Sequence, residues 1–425
     1  MASPRRARCL LVLVAMAAGA GAASGQTPPL EVVTFDEAVA RAIAANPSVD
    51  RAATAVLGAE ALLAQARAAV RPTAGASVVT TMLDAARGFS GNVVQPRTQW
   101  VLAGSAEVPL LASAQWAERV HAADQVAVAN VAVQDVRRQV AVAAGEAYLA
   151  VIARKRQLEV SVRARDTARA QLDFATARRE AGVSSRLNEL RAAQELAVDE
   201  GLVERGALAV RLAQEALGLL LASDRAMDAG APPAFETPAG DGESWLTDRT
   251  DIRLFDARVD AAGRVVADSW RDWVPSVRGA FEPQYVTPSG LFQPSGTWRA
   301  VVTTTVPLFD SGQRRAVKAR RQADLDLLRV DRRDAELRAR SEVRTARAAI
   351  EGETRALERA REAAGHAAEV LRITDVAFRA GATTNLELVD AQRGSRDAES
   401  AVADAEDRVR AAQLTLLVAL GRFPG

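Results

Sequence analysis

Glu387 and Asp390 are three positions apart in a run of helix-forming residues, so their carboxylates share one helical face about one turn apart. Two acids so placed attract cations, or simply solvate a helix face; without a partner base or nucleophile they are not a catalytic site. The segment about 200 residues upstream carries Asn188 and Arg191 at the matching places. The two histidines, His121 and His366, each lie in a long helical stretch with no neighbouring cysteine or second histidine, which reads as structural. The one cysteine, Cys9, precedes an apolar run near the start. There is no phosphate-cradling glycine loop. No catalytic residue, cofactor or metal ligand set is therefore expected, and the chain does not read as an enzyme.

The elements that hold these residues are written twice. Val108-Pro109-Leu110-Leu111-Ala112-Ser113-Ala114-Gln115 returns as Val306-Pro307-Leu308-Phe309-Asp310-Ser311-Gly312-Gln313, an offset of 198. Ala181-Gly182-Val183-Ser184-Ser185 returns as Ala380-Gly381-Ala382-Thr383-Thr384, an offset of 199. A period this long is not that of a solenoid, so each copy is half of one architecture. No proline occurs between Pro109 and Pro232, or between Pro307 and Pro424. Those spans are rich in Ala, Arg, Glu, Gln and Leu, which predicts long helices, about 112–181 and 185–222 in the first copy and about 311–380 and 384–422 in the second. Gly182 and Gly381 end the longer helices where a left-handed residue is wanted, and Ser184, Ser185, Thr383 and Thr384 are placed to cap the next ones.

Upstream of each long helix the period changes to two. Val277, Gly279, Phe281, Pro283 and Tyr285 alternate with Arg278, Glu282 and Gln284; Trp298, Ala300 and Val302 alternate with Arg299 and Thr303. Trp100, Leu102, Ala106 and Val108 do the same against Gln99, Ser105 and Glu107. Strands are expected at about 73–83, 98–110, 276–287 and 297–308, of the kind that tilts through an outer membrane. Four strands cannot close a membrane barrel, because an open edge in lipid leaves backbone groups unpaired. An oligomer completes it.

Composition agrees with export. Arg5, Arg6 and Arg8 followed by Leu10 to Ala20 and small residues read as a signal peptide over about residues 1–25, and Cys9 lies on the wrong side of the apolar run for lipid anchoring. The mature chain then holds 51 basic and 53 acidic residues and no cysteine, which offers no disulfide and no electrostatic case for nucleic acid. The organisation expected is a signal over 1–25, a first repeat over 26–222, an equatorial linker over 223–248 and a second repeat over 249–425.

Together these residues resemble the TolC-like family of outer-membrane efflux proteins. Val33-Thr34-Phe35-Asp36-Glu37-Ala38-Val39 and Ala44-Ala45-Asn46-Pro47 are similar to its entry helix and turn; Pro72 and Pro275, the two Val-Pro-Leu turns, and Leu187 to Gln194 with Leu386 to Gln392 match in order and in duplicate. The resemblance implies a mainly α chain with membrane β, assembled as a trimer with a 12-strand outer-membrane barrel continued by a 12-helix periplasmic α-barrel. It implies a passive, porin-like exit duct of a tripartite efflux pump or type I secretion system, in outer-membrane lipid, docked by a periplasmic adaptor and an inner-membrane transporter. Glu387 and Asp390 would ring the periplasmic aperture, with Asn188 and Arg191 from the first copy. Phe378 stands where relatives carry a tyrosine and Thr383 where they carry a tethering arginine, so the gate latch is altered. The tips Gly182-Val183 and Gly381-Ala382 would receive the adaptor. The competing reading is a periplasmic adaptor or a coiled-coil structural protein.

Overall fold

The computed structural model describes residues 30–236, 245–289 and 291–424; the signal segment and Pro238 of the expected linker lie outside them. The first copy runs β1 (Glu31–Val33), α1 (Phe35–Ala45), α2 (Pro47–Ala68), β2 (Thr73–Met82), β3 (Arg87–Phe89), β4 (Asn92–Gln95), β5 (Thr98–Leu111), α3 (Ser113–Glu180) and α4 (Arg186–Leu220). Then come β6 (Met227–Ala229), α5 (Trp245–Asp248), α6 (Thr250–Ala267), a 3-10 turn over Asp268–Trp273, β7 (Ser276–Thr287), β8 (Gly296–Thr305), α7 (Gln313–Arg379) and α8 (Asn385–Ala419). Helix, strand, strand, long helix, shorter helix occurs twice. No described helix is long and apolar enough to cross a membrane.

The main sheet is antiparallel in the order β2-β5-β7-β8, so the two copies meet at β5 and β7, and β2 and β8 are open edges. The register sorts its side chains, because successive residues of a strand point to opposite faces. Val78, Leu102 and Tyr285 are on one face with Phe281 and Trp298, whose rings lie 5.9 Å apart. Ser105, Arg278, Glu282, Gln284 and Arg299 are on the other, where Arg299 pairs with Glu282. Pro283 interrupts the central strand β7, a position that proline usually avoids. Gly104 makes room for it: a Cβ there would approach the proline ring at 3.0 Å. The loop between β2 and β5 carries a small hairpin of β3 and β4.

The helices form a single layer as well. Next to the sheet, α2 packs on α3, α3 on α6 and α6 on α7; toward the far end α4 packs on α3, α3 on α8 and α8 on α7. Only a few residues of α4 and α8 touch each other. With 68 residues at about 1.5 Å each, α3 is a rod about 100 Å long. One side of α7 is exposed and apolar at Leu327, Val330 and Leu337, and so is the opposite edge of the layer at Leu57 on α2 and Leu208 and Leu212 on α4.

The principal core gathers midway along α3, where Ala141, Ala144 and Tyr148 pack under Phe35, Val39 and Leu217. Phe35 makes edge contacts with Tyr148 and Phe235 at 5.5 and 5.4 Å between ring centres. The segment expected to be a linker contributes here. Met227 and Ala229 of β6 are buried, and β6 pairs in parallel with β1. Tyr148 donates its hydroxyl to the Ala231 carbonyl at 2.9 Å, and Lys155 reaches Asp228 at the same distance.

Asn46 joins three pieces of this core. Its Oδ1 accepts from the Ser48 N–H at 2.9 Å, capping α2 one residue before Pro47, and its Nδ2 donates to the Leu220 carbonyl at 3.0 Å. Asn46→Ala should cost about 1–2 kcal/mol, from the lost cap and the orphaned carbonyl. A fall in thermal midpoint checks this; an unchanged midpoint contradicts it.

Candidate functional site at the helical tips

The two hairpin tips have one backbone design. After α3, Gly182 takes φ 73° and donates to the Arg179 carbonyl at 2.9 Å, while the Val183 N–H reaches Arg178 at 2.9 Å. After α7, Gly381 takes φ 77° and donates to Phe378 at 3.0 Å, and the Ala382 N–H reaches Ala377 at 2.8 Å. This is the Schellman closure, in which a left-handed glycine satisfies the last carbonyls of a helix. Val183 and Ala382 are exposed at the turns. The caps that follow differ. Thr384 accepts from the Glu387 N–H at 3.3 Å, whereas Ser185 makes no side-chain cap bond and the Thr383 hydroxyl is buried without a partner.

Glu387 and Asp390 are both exposed in the first turns of α8, on either side of the buried pair Leu388 and Val389. Neither makes an ion pair among the described residues. The α-helical spacing thus places two unpaired carboxylates on one open face. Asn188 and Arg191 are half-buried on α4. The Asn188 side chain donates to Ser184 at 3.3 Å, and its carbonyl accepts from Asn385 at 3.3 Å. The structure therefore brings Asn188 to the start of α8 through its backbone.

Three contacts missed in the sequence tie the two hairpins together. Asn385, 3 % exposed, bridges the Asn188 carbonyl and the Gln171 amide of α3, the latter at 3.2 Å. The Phe378 ring is buried 6.0 Å from Phe174, and the Arg178 guanidinium lies 5.6 Å from both ring centres. Phe378 thus lacks a hydroxyl but holds a cation. One helical step further from the tips, Glu195 and Asp199 of α4 are buried and face Arg393 and Arg396 of α8. The Arg393 Nε lies 2.9 Å from Glu195, and Arg396 lies 2.7 Å from Asp199 and 3.5 Å from Glu195. The signal was there to read: the acids are spaced four apart and the arginines three apart, at offsets near 198.

Burial pushes the Asp199 carboxyl above the usual carboxylate range, against the lowering effect of Arg396. The folded chain then takes up this proton more readily than the unfolded one, so its contribution to stability is fullest in acid and is lost as pH rises through the folded value. Arg396→Met removes the charge that offsets burial and should cost about 3 kcal/mol at pH 8. The loss should shrink at pH 5, where Asp199 is more readily neutral. Thermal midpoints of variant and parent at the two pH values check this; a pH-independent difference contradicts it.

Comparison with known proteins bears on the whole chain. A family model described as "Outer membrane efflux protein" matches residues 243–422, the second copy. Outer membrane protein OprJ of Pseudomonas aeruginosa is 29% identical over 228 residues, 51% of this chain and 48% of its own length, so the match spans about half of that relative. Among solved structures, a membrane protein from Pseudomonas aeruginosa superimposes with a TM-score of 0.79 at 21% identity, covering 91% of this chain and 93% of that one. VceC of Vibrio cholerae gives 0.76 at 18% identity, covering 91% and 96%, and the open-state channel MtrE of Neisseria gonorrhoeae gives 0.77 at 20%, covering 91% and 88%. These likenesses are of fold, over both copies. Sequence match in the second copy, fold throughout, and a duplicated strand-and-rod plan agree: the second copy matches the outer membrane efflux protein family, and the fold over both copies is similar to that of solved outer-membrane channels.

Proposed function

We propose that three copies of this chain form a 12-strand barrel in the outer membrane, continued by a 12-helix tunnel, and that the tube is a passive exit duct for a tripartite efflux pump or type I secretion system. The observation that carries this reading is that each chain is an open strip at both levels. The sheet ends in the unpaired edges β2 and β8, and the helical layer ends in apolar edges on α7 and on α2 and α4. A neighbour that completes one edge completes the other. The apolar face of the sheet then meets lipid, and its polar face, with Arg278, Glu282 and Arg299, lines the passage.

In this assembly the exposed Glu387 and Asp390 of three chains face one aperture, and such a ring favours cations. Asn188 and Arg191 flank it. The contacts of Phe378 and Asn385 hold the hairpins where relatives have a tyrosine latch, and Thr383 takes the place of their tethering arginine. A periplasmic adaptor docks at Gly182-Val183 and Gly381-Ala382, where small residues permit close approach, and links the tube to an inner-membrane transporter. A coiled-coil spacer or a periplasmic adaptor would leave the apolar sheet face without a role.

Single cysteines in β2 and β8 should give disulfide-linked trimers in detergent extracts when paired across the edge. A monodisperse monomer that needs no detergent would sink the proposal. In planar bilayers, Glu387→Gln with Asp390→Asn should lower the ratio of cation to anion permeability severalfold while trimer yield stays unchanged. An unaltered ratio removes these residues from the aperture.

A further inference from the structure

Beneath the sheet, the short helix α6 lies between the rods α3 and α7 and leaves a recess of about 500 Å³ over its middle turns. Val128 of α3, Ala262 and Val265 of α6 and Leu328 of α7 line it with apolar groups, and Arg258 and Asp324 stand in it as well. Neighbouring Gly263 adds open space, since a Cβ there would meet nothing within 4 Å. Arg258 lies 5.8 Å from the Phe255 ring centre and makes no ion pair among the described residues. Asp324 is exposed and makes neither hydrogen bond nor ion pair among them. Sites for small molecules have this size and this mix, an apolar lining with a few polar groups. The duplication shows the charges to be local to this place. Pro72 and Pro275 align α2 with α6, and Gln115 and Gln313 align the upper parts of α3 and α7. On that alignment Arg258, Arg321 and Asp324 correspond to Ala55, Ala123 and Val126, so the first copy carries no charge at any of the three positions.

Chirality places the mouth of the recess on the polar side of the layer. Val286 alternates with the apolar face of β7 and donates to Ser295, on the β8 side, at 2.7 Å. For L-residues in a strand leading away from the helices, that bond puts β8 on the left when the apolar face is toward the viewer. Below it α7 descends with α6 on its right. Arg321 of α7 points that way, reaching Asp272 at 2.7 Å. Three positions on, a right-handed helix turns Asp324 about 60° from that direction, toward the far, polar side.

We infer that this recess is a binding site for a small zwitterionic amphiphile, with its anionic group on Arg258, its ammonium on Asp324 and its apolar body over Ala262 and Val265. Each chain then offers molecules of that class a saturable foothold beside their path. That the recess opens into a passage rests on the assembly proposed above, whereas the recess itself is built within one chain.

The test is equilibrium dialysis of radiolabelled 8-aminooctanoate against the detergent-purified full chain, with the same detergent solution as blank. This probe carries a carboxylate and an ammonium at opposite ends of an apolar chain. Binding should saturate at one molecule per chain, and Arg258→Gln or Asp324→Asn should each weaken it about fivefold. Octanoate should respond to the arginine substitution only, and octylammonium to the aspartate substitution only. Exchanging the charges, Arg258→Asp with Asp324→Arg, should restore binding of the zwitterion, because the ligand can turn round. Uptake that never saturates, or saturable binding indifferent to both substitutions, overturns the inference. Conductance of the same preparation in planar bilayers separates the two readings. A preparation that conducts but does not bind removes the site alone; one that binds but does not conduct removes the duct and leaves the site.

Discussion

In the assembly proposed above a strand edge in hydrocarbon has to be paired, and the rest of the architecture follows from that requirement. Each unpaired backbone group in lipid costs several kcal/mol, and β2 and β8 each offer a row of them along ten residues. The exposed leucines on the helical edges are a milder demand, worth about 1.5–3 kcal/mol apiece when buried. In that assembly the sheet would compel association, and the helical part would have only to agree with it in number and direction. Duplication supplies that agreement, since each copy contributes two strands to the sheet and, at any level, two helices to the layer.

Stability is spread unevenly along the molecule. Midway along α3, Phe35, Tyr148 and Leu217 build an ordinary apolar core, strengthened by β6 and Phe235 from the connecting segment. Toward the tips the hairpins are held by Asn385, by Arg178 against two rings, and by the buried Glu195 and Asp199 against Arg393 and Arg396. A polar contact of this kind is costly to leave half made and cheap to exchange for water when both partners are released together. The core is held by apolar packing, and the tips by polar contacts.

How much of this the sequence disclosed depended on whether the cause was local. Strands showed in the alternation around Phe281 and Trp298, long helices in the absence of proline, and the turns in Gly182 and Gly381, whose left-handed backbone is a property of a few adjacent residues. Met227–Ala229 did not stand out, because three residues near Pro232 and Pro233 acquire their strand character from distant Glu31–Val33. Gln171, Glu195, Asp199 and Asn385 carry no local mark of burial, although the matched spacing of the two acids and the two arginines was visible; their burial arises only when the two hairpins dock. Phe378 was legible as a missing hydroxyl, but its contact with Phe174 and Arg178 spans about 200 residues of chain and has no local signature.

The unbroken α3 also works as a lever. Its buried section around Ala144 lies about 36 residues from Glu180, or about 50 Å of stiff helix. A pivot of about five degrees there would sweep the far end sideways by about 4–5 Å, on the order of a side chain's reach. Small adjustments of packing around Phe35 and Tyr148 would therefore be magnified into displacement of the turn at Gly182, without any bending of the shaft.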